Sequence, residues 1–123
     1  VAYQTTETTE TTETTVPTPS PAPDPYGFLG RLNGVRAQYG LSLVSYDANL
    51  SGWAAVNNNH QHAYGMGHHV MAGTRRQNSG MGAGATVFQM WMGSPAHRDA
   101  LLDPSISRIG IAQSGAYWTY NAY

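Results

Sequence analysis

"WMGSPAHRDALLDPSISRIGIAQSGAYWTYN", residues 91–121, is the stretch whose reading decides the fold. Ser94 and Pro95 open a helix. Serine accepts hydrogen bonds from the first free amides, and proline is pre-set for the first helical position, where its missing N–H costs nothing. "SPAHRDALL" is therefore a short helix, with His97 the third residue past its cap. "RIGIAQSG" and "AYWTYNAY" read as two strands joined as a hairpin near Ser114-Gly115. Alternation along the second strand puts Tyr117 and Thr119 on one face and Trp118 and Tyr120 on the other. Core packing accounts for one set; helices on both faces would bury both.

Upstream, "ATVFQMWMG" predicts a helix with Val87, Met90 and Trp91 inward. "YGFLGRLNGVRAQYG" carries Phe28, Leu29, Leu32, Val35, Arg36 and Tyr39 at helical spacing and ends at Gly40. Its internal glycines each weaken it by about 1 kcal/mol relative to alanine, so packing must hold it. "LSLVSYD" is a short extended link. Asp47 then caps a helix over residues 48–62, with Leu50, Trp53, Ala54 and Asn57 on one face. "GMGHHVMAGTRRQNSGMGAG" reads as glycine-rich and irregular, a loop in which backbones approach closely. Helices first and strands last make this an α+β layered domain.

The chain has 123 residues, one domain's worth. Residues 1–15 are a low-complexity tail, 16–25 a proline-rich spacer and 26–123 the folded domain. From Thr5 to Thr15 the tail repeats Thr-Thr-Glu without an apolar side chain, so it has no core of its own to offset ordering entropy. The spacer holds five of the seven prolines and reads as extended polyproline II. In that conformation, with three residues per turn, Glu7, Glu10 and Glu13 would form one edge and the threonines the other two. Thr- and Pro-rich composition is also that of O-glycosylated stalks, which makes Thr5, Thr6, Thr8, Thr9, Thr11, Thr12, Thr14 and Thr15 candidate glycan sites.

Every glutamate lies in the tail, and the rest of the chain carries six arginines, four aspartates and no lysine. That balance is too weak to argue for nucleic acid, but it permits attraction between tail and body. Without cysteine there is no disulfide framework and no thiol nucleophile. No apolar run reaches the roughly 18 residues of a membrane-spanning helix. "VAYQ" at the start reads as a processed end, and removal of a signal peptide is expected.

Five histidines carry the remaining chemistry: His60, His62, His68, His69 and His97. Neutral imidazole is a common zinc ligand, although the plainest role for each is hydrogen bonding or packing. His60 and His62 fall near a helix end. His68 and His69 are adjacent, so their side chains diverge and one of them points into any given pocket. His97 can reach back to its helix start or into a groove. Asp99 is two residues from His97, a helical spacing that points it elsewhere. No serine triad emerges, and "GMGAG" lacks the Lys and Ser/Thr of a phosphate loop.

Four segments together, "LNGVRAQYGLSLVSYDANLSGWAAVNN", "GHHV", "RQNSGMG" and "VFQMWMGSPAHRDALLDPSISRIGIAQSGAYWTYN", resemble the CAP superfamily (SCP/TAPS, pathogenesis-related-1-like) in its short bacterial form, over about residues 26–123. The resemblance implies an α-β-α sandwich around a small antiparallel sheet. It also implies a cleft with two histidines and two acidic residues, the histidines binding a divalent metal in several members. Matched residue by residue, His97 falls on the second histidine, and His69 on the first with His68 as the fallback. Gln77 and Ser94 fall on the acidic positions, so both carboxylates are replaced.

A metal hydrolase needs a base to take a proton from bound water, and glutamine has no pKa in range. The expectation is a secreted, non-catalytic domain, a pseudo-enzyme requiring no cofactor, with at most a weak zinc site at His69 and His97. Two functions follow from this. The chain is an extracellular structural subunit that self-associates through its tail, laid on a neighbouring copy and propagating into a filament. Alternatively it is a secreted binding module for a lipid, sterol or wall glycan in the cleft.

Overall fold

The β3–β4 hairpin forms the centre of a four-stranded sheet in the computed structural model, which describes residues 23–123. A helical turn at Pro25–Gly27 leads into α1 (Phe28–Gln38), followed by β1 (Ser45–Tyr46), α2 (Ala48–Tyr64), β2 (Arg76–Met81), α3 (Gly84–Met92), α4 (Pro95–Leu102), β3 (Arg108–Ser114) and β4 (Tyr117–Ala122). The threonines of the tail and most of the spacer lie outside the described residues.

The strand order is β1-β3-β4-β2. The pairings β3–β4 and β4–β2 are antiparallel, and β1 adds in parallel to β3. The sheet is thus mixed, with its antiparallel core as expected. Helices cover both faces, so the fold is an α-β-α sandwich of the α+β class.

The two faces are chemically different. On one, Ile109, Ile111, Trp118 and Tyr120 meet Phe28 and Leu32 of α1, Val87, Phe88 and Trp91 of α3, and Leu101 of α4. Phe28 packs edge-on against Phe88 and Trp91, with ring centroids at 5.6 and 6.1 Å. The other face carries Gln77, Ser79, Gly110, Ala112, Thr119 and Asn121 and is covered by α2. Here α2 lies backbone to backbone on the sheet. A Cβ at Gly110 would overlap Ser51 N and the Leu50 carbonyl carbon and come within 2.7 Å of Leu50 Cβ. Ser51 Oγ also accepts from Ile111 N at 3.0 Å.

Capping proceeds as the sequence indicates at Asp47, whose carboxylate accepts from Asn49 N and Leu50 N at the start of α2. Asp24 does the same for α1 from outside the helix, accepting from Leu29 N at 2.6 Å and Gly30 N at 3.1 Å. Arg36 is fully buried at the end of α1. It donates to Ser42 O and to the Leu101 and Asp103 carbonyls, at the C-terminal end of α4, where the helix dipole favours a cation.

Three expectations change. The glycine-rich run is not wholly irregular, because it contains β2. That strand, "RQNSGM", has no β-branched or aromatic residue; its buried side chains are held by hydrogen bonds rather than by apolar packing. Trp53 and Met90 face outward, 38 % and 49 % exposed, while Asn58, Gln61 and Phe88 take the inward positions. Tyr39 lies past the end of α1 and is exposed.

Candidate functional site: a cleft along the edge strand

Between α2 and the sheet is a layer of buried amides. The Thr119 hydroxyl accepts from Asn57 Nδ2 at 3.0 Å and Gln61 Nε2 at 3.1 Å, and donates to Asn58 Oδ1 at 2.7 Å. One donor and two lone pairs are its full capacity. Asn57 Oδ1 receives the backbone amides of His69 and Val70 at 2.8 and 2.9 Å, and Asn57 Nδ2 reaches Gly67 O at 3.1 Å. Gln61 Oε1 receives Gly67 N at 3.2 Å. This layer therefore fixes the loop that carries both adjacent histidines.

A second chain of bonds sets the protonation of one of them. Asn121 Nδ2 donates to Leu50 O at 3.1 Å, which leaves Asn121 Oδ1 to accept from Gln77 Nε2 at 2.8 Å. Gln77 Nε2 also donates to Val70 O at 2.8 Å. Because Val70 O and Leu50 O are carbonyls and only accept, Gln77 must present Oε1 to His68 Nδ1, 2.8 Å away. His68 then donates from Nδ1 and keeps its lone pair on Nε2.

Across β2, His97 hydrogen-bonds Ser94 Oγ through Nδ1 at 3.0 Å. Ser94 holds the N-cap position of α4 as the sequence indicates, but its side chain makes no capping bond and serves the histidine instead. Asn78 Nδ2 donates to His97 O at 3.0 Å and anchors this turn of α4 to the strand. Desolvation, with the charge of His68 a smaller cause, holds the His97 imidazolium below the ordinary histidine range.

His97 and Ser94 open onto a cleft of about 240 Å³ lined also by Met66, Ser79, Gly80, Met81, Met90 and Trp91. Its wall is set by a close approach. A Cβ at Gly80 would stand 3.0 Å from Trp91 Nε1 and 3.2 Å from two ring carbons, tighter than ordinary contact, so glycine lets the indole lie against the strand without giving way. Trp91 Nε1 donates to Ser79 O at 3.1 Å. The methionine rim is half-exposed, with Met66 at 58 % and Met81 and Met90 each at 49 %.

The structure brings His68 to Gln77 and His97 to Ser94, on the two sides of β2. It takes His69, the histidine preferred from the sequence, away from Gln77: His69 Nε2 donates to Gly65 O at 2.7 Å, and its ring stands beside His60. The physical reason is the loop geometry, because Asn57 pins the amides of both His69 and Val70 and adjacent side chains diverge. His62 bonds Ser114 at the hairpin. Asp99 is exposed on α4. The amide layer and the methionine rim escape a sequence reading; the run "VNNNHQH" inside an otherwise apolar-faced helix is the signal that could have flagged the first.

A zinc ion, which the resemblance implies, does not fit the cleft residues well. Among the described residues no three His, Cys, Asp or Glu side chains gather into a metal-binding group. His68 Nε2 has the right tautomer and His97 is a second imidazole, but three protein ligands are usual even in catalytic sites.

No curated protein matches the chain in sequence. Among solved structures, an outer surface protein from Borrelia burgdorferi is similar with a TM-score of 0.68 at 16 % identity, over 80 % of this chain and 91 % of that one. A cysteine-rich secretory protein from Staphylococcus aureus gives 0.66 at 21 % identity over 78 % of this chain. An extracellular protein containing an SCP domain from Bacillus anthracis gives 0.67 at 18 %, also over 78 %. The chain spans only 37 % and 38 % of the latter two. At these identities the likeness is one of fold. The cysteine-rich secretory protein family, CAP, matches residues 29–121, which carry every helix and strand of the sandwich except the first residue of α1 and the last of β4, and the chain belongs to that family.

Proposed function

We propose that the chain is a secreted, non-catalytic CAP domain that holds a small, largely apolar ligand in the cleft along β2. The observation that carries this reading is the cleft lining: Trp91 and three methionines supply apolar wall, and His97 and Ser94 supply the only side-chain polarity besides Ser79. A few convergent polar groups in a mostly apolar concavity are what a small-molecule site needs. Such a wall favours a lipid or sterol over a wall glycan.

Hydrolysis is disfavoured by the fate of the carboxylates. Asp24 and Asp47 cap helices, Asp103 pairs with Arg76 at 2.8 Å, and Asp99 is turned to solvent. Gln77 takes the place of a base and is saturated by His68, Val70 and Asn121. No helix of the described residues is long and apolar enough to cross a membrane. The extracellular placement follows the family and the names of the similar structures.

The test is saturable binding of a fluorescent sterol and a fluorescent fatty acid. Met81→Lys should abolish it and His97→Ala weaken it, with circular dichroism unchanged. Equal binding by parent and variants would remove the cleft from consideration.

A second reading rests on the tail. Its strict Thr-Thr-Glu repeat is acidic where the body has excess arginine, and attraction between copies would make an extracellular assembly, with sugars on the threonines. Sedimentation and intact mass of the full chain against a chain starting at Asp24 decide it. An unchanged oligomeric state and a sugar-free mass would leave the tail a linker.

A further inference from the structure

Away from the cleft, three rings form a triangle at the end of α2. The centroids of His60 and Tyr64 are 5.9 Å apart, those of Tyr64 and His69 5.9 Å, and those of His60 and His69 6.3 Å with ring planes 24° apart. His60 and Tyr64 are one turn apart on α2, and Gly65 ends the helix so that the chain returns His69 to the same spot.

Both histidines have a fixed tautomer. His60 Nδ1 donates to Val56 O at 3.0 Å and His69 Nε2 to Gly65 O at 2.7 Å. Each carbonyl can only accept, so the lone pairs sit on His60 Nε2 and His69 Nδ1. A donated N–H held by a carbonyl is the outer-shell arrangement that orients histidine ligands on metals. With metal–nitrogen bonds of about 2.0–2.1 Å, and about 1.1 Å from nitrogen to centroid, two imidazoles on one ion stand about 5 Å apart at a tetrahedral angle and about 6.3 Å apart when trans. The observed 6.3 Å, with near-parallel rings, matches the trans pair of a square-planar site, the geometry of Cu(II).

We infer that His60, His69 and Tyr64 form a surface site for a divalent first-row metal ion, with two imidazole nitrogens as the principal ligands and the tyrosine oxygen at the third corner. The triangle offers the third donor that the His68–His97 pair lacks. Nitrogen and oxygen donors at an exposed site follow the order in which Cu(II) binds more tightly than Zn(II). His69 and Tyr64 are exposed and His60 half-buried, so an ion can reach all three.

The experiment uses the full chain with its N-terminal amine acetylated, because a free amine also takes Cu(II). Cu(II) affinity is measured by chelator competition. Zn(II) is titrated while the imidazole nitrogens are followed by long-range proton–nitrogen NMR. The expected result is one Cu(II) per chain, affinity reduced about tenfold or more in His60→Ala and in His69→Ala, a smaller loss in Tyr64→Phe, and no change in His97→Ala. Zn(II) should shift His60 Nε2 and His69 Nδ1 and leave His60 Nδ1 and His69 Nε2 protonated. Affinity unaffected by His60→Ala or His69→Ala, or lost in His97→Ala instead, would overturn the proposal, as would the absence of any binding. None of these results bears on ligand occupancy of the cleft.

Discussion

His68 Nδ1 and Gln77 Oε1 lie 2.8 Å apart, and the proton between them belongs to the histidine. That assignment follows from two backbone carbonyls, Val70 O and Leu50 O, at the far end of the same chain of bonds. It makes the amide, not a carboxylate, the group this position requires. In Gln77→Glu one oxygen would still accept from His68, but the other would face Val70 O and Asn121 Oδ1, both acceptors. Burying it unpaired costs about 1–3 kcal/mol. The burden on the carboxylate raises its folded pKa above its unfolded one. The loss should therefore be absent below the unfolded value and grow as pH rises through the folded one. Urea midpoints of the variant and parent at pH 4 and pH 8 check this; a larger deficit at pH 4 would contradict it.

Thr119→Val tests the amide layer. The substitution keeps the shape and removes a hydroxyl that makes three buried bonds. Valine for threonine is not a neutral swap where the hydroxyl is used, and the partners left behind should cost about 1–3 kcal/mol. Amide exchange at His69 and Val70, which Asn57 holds, should accelerate with it.

Gly80→Ala should push the Trp91 indole off the strand and break its bond to Ser79 O. Overpacking of this kind costs about 1–3 kcal/mol. The readout is a red shift of the Trp91 emission in a background where Trp53 and Trp118 are phenylalanine, and weaker uptake of the sterol probe. An unshifted spectrum would show that the indole has room to give.

Acid should weaken the fold in two steps. His97 has its folded pKa below the ordinary 6.5 through desolvation, so its share of stability is complete above that value and is lost as pH falls through the lower folded value. Asp103 is held below 3.8, chiefly by the Ser105 hydroxyl and then by Ser105 N and Arg76, with desolvation opposing. Its share is complete above 3.8 and lost as pH falls through its own folded value. His97→Gln should flatten the upper limb of stability against pH and Asp103→Asn the lower. A variant that leaves the profile unchanged assigns that limb elsewhere.

Residues 91–121 made most of the fold legible, because Ser94-Pro95 and the alternating hairpin are local signals and the structure follows them. Strand β2 was hidden for a physical reason. Its side chains bond to Asn121 of β4, to the loop after α2 and to the backbone of α4, so the strand is polar although buried, and strand signals are signals of apolar packing. Met90 and Trp53 were placed inward by periodicity alone, which cannot say where a helix face ends; Phe88 and Asn58 hold the interior instead. His97 reaching back to Ser94 was readable from a spacing of three. Which of His68 and His69 would face Gln77 was not, since that depends on Asn57, ten or more residues upstream, gripping the loop.

The sheet's two faces also set how the chain can drift. Ile, Leu, Phe and Trp on the apolar face can exchange volume with one another, and single changes there are survivable steps. On the α2 face, Gly110 admits no side chain, and Asn57, Gln61, Gln77 and Asn121 each donate to one neighbour and accept from another. Change on that side must come in matched pairs. Among natural variants of this domain, differences should therefore accumulate singly beneath α1 and α3, and beneath α2 only in concert.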